Sequence, residues 1–258
     1  NPSQLFIVTF SKDAASQIQE RVEKELSKIP QLIDAISFIH ISTIDIFFSE
    51  LVNSIYPTWW EAKQKNKDFF AMPPRLQLID EEVVCNDLKN AIQSYLNTNK
   101  FNENQLTLTI DFLLSGALKK GFGKNRGTLD SILKTLCNDT FLASSIEELR
   151  IAAKKIHPST SFLICEFHKL ARQEYEKRII KGEFTYSDRT LFLKENLRQN
   201  IPIQLQELIV DEYQDTNHIQ HDILYNLVLE CKARMVVVGD PKQSIYGFRN
   251  ASVDVFQN

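Results

Sequence analysis

The sequence is poor in glycine, with seven in 258 residues. Tight hairpins draw on glycine for positive φ, so a chain this short of it is expected to be rich in helix. No two cysteines stand at Cys-x-x-Cys spacing. Cys85, Cys137, Cys165 and Cys231 are scattered, which excludes a zinc ribbon and fits a reduced, cytoplasmic protein. No apolar run approaches the ~20 residues that a bilayer crossing needs, so no membrane partner is expected. Basic surplus is also missing. The formal net charge is −3, which argues against nucleic-acid binding over the whole surface and leaves room only for a local groove. Lastly, no Gly-x-x-x-x-Gly-Lys-Ser/Thr phosphate loop occurs. The nearest approach, Gly121-Phe122-Gly123-Lys124-Asn125, has Leu118 in place of the first glycine and Asn125 in place of the hydroxyl.

What is present reads as a globular protein of one large or two smaller domains, with 43% hydrophobic and 24% charged residues. Leu5-Phe6-Ile7-Val8 is a short continuous apolar run, as in a strand buried on both faces. Ser11 is a helix cap, and Ala14, Ala15, Ile18, Val22 and Leu26 follow at helical spacing. Ser37 to Ile41 reads as a second strand. Thr43 opens another helix through Phe47, Phe48, Leu51 and Val52. This alternation predicts an α/β layer structure. Between about Trp59 and Gly182 it gives way to helical patterns at 76–96, 106–118, 128–142 and 161–181, punctuated by Pro73-Pro74 and Pro158. Strand character returns near Leu205, and a helix from about Asn217 to Cys231 joins the last two strands. The expected organisation is 1–72 and 181–258 as two parts of one α/β domain, with 73–180 inserted as an all-helical subdomain.

Two late strands carry the chemistry. Leu208-Ile209-Val210 runs into Asp211-Glu212-Tyr213-Gln214-Asp215-Thr216. Met235 to Val238 runs into Gly239-Asp240-Pro241-Lys242-Gln243-Ser244-Ile245-Tyr246-Gly247-Phe248-Arg249. Polar residues at the C-terminal ends of neighbouring strands are how an open parallel sheet builds a ligand site. A carboxylate there can hold magnesium beside nucleotide phosphates, and a second can orient and deprotonate water. Gln243 can contact a terminal phosphate. Tyr246, Phe248 and Arg249 offer stacking and charge to unpaired bases. The bland alternatives are exposed acids at a strand end, a surface glutamine and ordinary core aromatics. His218 and His221, three apart on a helix, form a metal pair only if a third ligand joins them.

The two late segments resemble motifs II and III of the UvrD/Rep branch of superfamily 1 DNA helicases, and Pro241-Lys242 leans toward the AddA/RecB type. Val8-Thr9-Phe10-Ser11-Lys12-Asp13-Ala14-Ala15 resembles motif Ia, and Ser42-Thr43-Ile44-Asp45-Ile46-Phe47 resembles motif Ib. Phe184-Thr185-Tyr186-Ser187-Asp188 is similar to a degraded motif Ic. The resemblance implies a P-loop NTPase (RecA-like) parallel sheet with helices on both faces, carrying a helical insertion. It implies ATP and Mg²⁺ as cofactors, with Asp211 binding the metal, Glu212 activating water and Gln243 sensing the γ-phosphate. Thr9, Phe10, Ser11, Thr43, Phe47, Tyr246, Phe248 and Arg249 would lie along the DNA.

The function implied is an ATP-dependent 3′–5′ DNA helicase or translocase of repair or recombination. Its partners would be single-stranded DNA, duplex junctions and a partner protein of nuclease or recombination type. Asn1-Pro2 without an initiator Met, and a phosphate loop that in the family precedes motif Ia, lead to the expectation of an excised piece, inactive by itself. The departures fall on the DNA side: Lys12-Asp13 replaces Asn-Lys, and Asp45 replaces His. Other readings stay open. One is a helicase-like component of a helicase–nuclease complex, another a binding module without catalysis. A third is a nuclease holding two metals with Asp211, Glu212, Asp215 and Asp240.

Overall fold

The computed structural model describes residues 1–63, 72–99, 109, 129–154, 160–199, 201 and 203–240. They fall into two units, Asn1–Asn66 with Phe192–Asn258, and Lys67–Leu191.

The first unit is built on four parallel strands, β1 (Leu5–Thr9), β2 (His40–Thr43), β5 (Glu207–Val210) and β6 (Arg234–Val237). They form one sheet in the order β2-β1-β5-β6. In β1 the consecutive residues Phe6, Ile7, Val8 and Thr9 are all buried. Neighbouring side chains on a strand point to opposite faces, so the sheet is covered on both. The edge strands β2 and β6 are less buried than β1.

Helix α1 (Lys12–Leu26) packs on β1 and β2, as does helix α3 (Ile44–Lys63). Ser11 is the cap expected from sequence, and Thr43, expected to open its helix, caps it as well. Ser11 Oγ accepts from the Ala14 N–H at 3.1 Å, and Thr43 Oγ1 accepts from Ile46 at 3.3 Å. Along α3 the buried residues Ile44, Phe47, Phe48, Leu51, Val52, Ile55 and Tyr56 repeat at three- and four-residue steps. Phe192 returns to this helix, its ring 5.2 Å from Trp59 and 6.1 Å from Tyr56. The His218–Cys231 helix starts on a reciprocal cap. Asn217 Oδ1 accepts from Gln220 N at 2.8 Å, and Gln220 Oε1 accepts from Asn217 N at 3.1 Å.

The second strand starts later than the sequence suggests. Parallel pairing with β1 begins at Phe6 opposite His40. Before His40 the chain is not paired with β1. It forms a short helix, α2 (Ile33–Ile36), and turns, with Phe38 57% exposed.

The second unit contains the helices Glu81–Thr98, Leu129–Cys137, Asp139–Ala143, Ile146–Lys154 and Thr160–Ile180. Leu88, Leu136, Phe141, Leu149 and Ile164 form its core. The single helix expected over 128–142 is two. Asn138 Oδ1 accepts from Thr140 N at 2.8 Å and starts a new helix there. The pattern over 106–118 lies outside the described residues, except Thr109.

The unit also holds a parallel ladder that the sequence pattern does not announce, β3 (Gln77–Leu78) beside β4 (Glu183–Phe184). Gly182 leads into it at φ 77°, where an added Cβ would sit 3.0 Å from the Arg75 carbonyl oxygen. Asp188, read as part of the weakened motif Ic, is structural. Its carboxylate is 2.9 Å from the Arg178 guanidinium and accepts from the Thr185 N–H at 3.0 Å, with both charged side chains buried.

Candidate active site

The register decides what meets at the sheet's carboxyl edge. Val8 pairs with Val210, and Val210 with Val237. The exits of β1, β5 and β6 therefore lie side by side, and hydrogen bonds continue past the strand ends. The Asp211 N–H donates to Val8 O at 2.9 Å, and Val238 N–H donates to Val210 O at 2.8 Å. Tyr213 N–H donates to Val238 O at 2.9 Å. Asp211 and Glu212 sit half-buried in this seam, with the β1 exit on one side and the β6 exit on the other.

Glu212 has a left-handed backbone, φ 52° and ψ 40°. A residue with a Cβ adopts it at a cost of order 1–3 kcal/mol, so the surroundings must enforce it. The reversal starts a single 3₁₀ turn, Tyr213–Asp215, in which Asp215 N donates to Glu212 O at 2.9 Å. Gln214 is 2% exposed. Its Nε2 donates to Glu212 Oε2, and its Oε1 accepts from the Asp240 N–H at 3.1 Å.

Tyr213 is buried, and its hydroxyl is hydrogen-bonded to His221 Nδ1. The His221 ring stacks on Tyr225 at 5.7 Å and 10°. Burial pushes the Tyr213 pKa up to about 12 and His221 down. His221 thus anchors the acidic turn to the following helix. Among the described residues no group of three or more His, Cys, Asp or Glu side chains could hold a metal ion. The four-acid nuclease shell and the His218–His221 metal pair are therefore not assembled in the described structure.

The residues expected along DNA divide. Phe10 is half-buried and lines a cleft of about 160 Å³ with Ile44, Asp45, Asp215, Asn217 and Gln220. Of the six, two are acidic and none is basic, which suits the edge of a base better than a phosphate. Thr9 is 1% exposed, and its hydroxyl has no hydrogen-bond partner. Ser11 is exposed, and Ser11 and Thr43 spend their hydroxyls on helix caps. Phe47 is a correction. It is 1% exposed, with its ring 5.4 Å from Phe6 and 6.4 Å from Phe48, so it fills the core under the sheet and has no surface for DNA. Gln243, Tyr246, Phe248 and Arg249 lie outside the described residues.

Sequence reasoning passed over Gln214 as a site residue. A glutamine in a polar run after a strand looks solvated. Only the left-handed turn at Glu212 folds it inward.

The family profile of the UvrD/REP helicase N-terminal domain matches residues 1–258. Among curated proteins, the chain is 31% identical over 130 residues to an ATP-dependent helicase/nuclease subunit of Staphylococcus haemolyticus, covering 46% of this chain and 11% of that protein. It is 37% identical over 117 residues to an ATP-dependent helicase/nuclease subunit of Lactococcus lactis subsp. cremoris, covering 43% and 9%. With the RecBCD enzyme subunit RecB of Buchnera aphidicola it shares 36% identity over 98 residues, covering 36% and 8%. The chain spans about a tenth of the length of these relatives.

Proposed function

Because this chain belongs to the UvrD/REP helicase N-terminal domain family, we infer that it forms part of the ATP-hydrolysing motor of a DNA helicase acting in repair or recombination, with 3′–5′ polarity. The observation that carries this reading is the tandem pair Asp211-Glu212 at the tip of β5, with Asp211 bonded to the β1 exit and the flanking Val210 and Tyr213 bonded to Val238 at the β6 exit. The half-buried Asp211 carboxylate at a strand end fits a magnesium ligand, since this ion is commonly held by one or two carboxylates plus phosphates. The ion, when bound, neutralises charge on the transferred phosphoryl group. Glu212 orients the attacking water and takes its proton. Gln243 is assigned contact with the terminal phosphate. Phe10, Ser11, Tyr246, Phe248 and Arg249 are assigned to single-stranded DNA and duplex junctions; Thr9, Thr43 and Phe47, all buried, are left out of that set. The relatives named as helicase/nuclease and RecBCD subunits support a partner protein of nuclease or recombination type.

The test is Glu212→Gln in the intact protein. DNA-stimulated phosphate release should fall about 10²–10⁴-fold while nucleotide still binds. Wild-type turnover in this variant would overturn the reading. The 258-residue chain by itself, in which no Gly-x-x-x-x-Gly-Lys-Ser/Thr occurs, should release phosphate negligibly with or without DNA. Robust DNA-stimulated turnover by the isolated chain would contradict that.

A further inference from the structure

β5 ends at Val210, so the strand itself does not fix the Glu212 carboxylate. What holds it is one buried amide. Gln214 donates from Nε2 to Glu212 Oε2 and accepts at Oε1 from the Asp240 N–H. The orientation of this amide follows from its neighbours. Reversed, it would set its carbonyl oxygen against a carboxylate and its NH₂ against a backbone N–H, both repulsive. The neutral glutamine amide donates from one atom and accepts at another, so it serves both neighbours at once. The surrounding turn is pinned independently. Asp211 bonds back to Val8, Tyr213 to Val238, and Val238 to Val210. Gln214 therefore spans a fixed seam, joining the acid at the tip of β5 to the backbone that leaves β6.

Resting on the reading of Glu212 as the residue that activates water, we propose that Gln214 is its positioning residue: it sets the direction of the carboxylate and ties that direction to the Asp240 backbone. A displacement of the segment after β6 moves the amide, and the amide moves the carboxylate. The site thus has a direct mechanical link between the two strand ends.

Gln214→Met keeps the side chain's length and bulk and removes both hydrogen bonds. In the intact protein it should lower kcat for DNA-stimulated ATP hydrolysis about tenfold, with KM for ATP changed less than about threefold. Added to Glu212→Gln, it should cause no further loss, because Gln214 acts through that carboxylate. A residue of merely structural importance would move KM as well, and would add its loss to that of Glu212→Gln. Gln214→Glu serves if the methionine variant does not hold its fold. It keeps an acceptor for the Asp240 N–H and replaces the donor to Glu212 with a second carboxylate, so an equal or larger loss of kcat is expected. Unchanged kcat in the folded variant overturns the proposal. So does full additivity with Glu212→Gln. If Glu212→Gln itself retains turnover, the hydrolysis reading fails first, and that outcome is separable from a failure of Gln214 alone.

Discussion

Glu212 and Lys232 are the non-glycine residues, among those described, with a left-handed backbone, at φ 52° and 53°. Their surroundings differ. Lys232 ends the His218–Cys231 helix, is exposed, and sits where glycine is usual, donating its N–H to the Leu229 carbonyl. Nothing in the structure requires a side chain there. Lys232→Gly should therefore stabilise the protein by about 0.5–1 kcal/mol, net of the greater freedom of glycine in the unfolded chain. Thermal unfolding would read this as a rise of about 1–4 °C. At Glu212 the same relief is offset, because losing the carboxylate strands the donor of a buried glutamine. Strain is dispensable at the helix end and is held in place by hydrogen bonds at the acidic turn. The sequence marked Asp211 and Glu212 as candidate site residues, because Gln214-Asp215-Thr216 and a second polar segment after a strand accompany the two acids. It hid the left-handed reversal and hence the inward turn of Gln214, because glutamate has no preference that announces such a backbone.

Helices and strands differed in how well they could be read. Long helices opening at Ser11, Thr43 and Asn217 follow from the residue pattern, and the cap at Ser11 from its hydroxyl, whereas the caps at Thr43 and Asn217 show in the structure. The ladder β3–β4 does not follow from the pattern, because two residues per strand are too few to show alternation. Phe47 shows the limit of motif reasoning. Its place in a DNA-binding motif says nothing of its face, whereas the helical spacing with Leu51 and Ile55 puts it in the core. Packing between elements also gives a pH dependence. His168, on the Thr160–Ile180 helix, is buried, 3.4 Å from the Leu142 carbonyl oxygen through Nε2 and edge-on to Phe141 at 5.3 Å. Its Nδ1 has no partner, so a second ring proton would be buried without an acceptor. Burial accordingly lowers its pKa below the ordinary 6.5. The unfolded chain then binds the proton more readily, and stability is complete above pH 6.5 and declines as pH falls from there toward the lowered folded-state value. The loss from one such group cannot exceed about 1.4 kcal/mol per pH unit. Urea unfolding at pH 7, 6 and 5 should show a steeper decline for the wild type than for His168→Phe. Equal slopes would mean that the ring titrates alike in both states.

For the molecule as a whole, parallel topology does what the linear sequence cannot. Thr9-Phe10, Asp45, Asp211-Glu212 and Asp240 are spread over more than two hundred positions, yet each follows a strand of one sheet or starts the helix after it, so all gather at its carboxyl edge. The stretch with the acids and the stretch with Phe10 also share a direct backbone bond, from Asp211 N to Val8 O. The proposed DNA contact at Phe10 and the proposed hydrolytic turn share one short strand end, which suits them to exchange information about occupancy. Phe10 is the residue on which to test this. No cation is among the described residues that line its cleft, so the proposed DNA contact rests on stacking rather than on phosphate. One stacked base is worth ~1–3 kcal/mol, so Phe10→Ala should weaken single-stranded DNA binding about 5- to 100-fold. The salt dependence should keep its slope, because no phosphate contact is lost and no extra counterion is retained. Hydrolysis without DNA should stay within about twofold of the wild type, whereas the DNA concentration giving half-maximal stimulation should rise in step with the lost affinity. Titration by fluorescence anisotropy at two salt concentrations, beside phosphate release with and without DNA, separates the outcomes. A flatter salt slope would place Phe10 next to phosphates, and a fall in the DNA-free rate at unchanged affinity would make it a support for the acids.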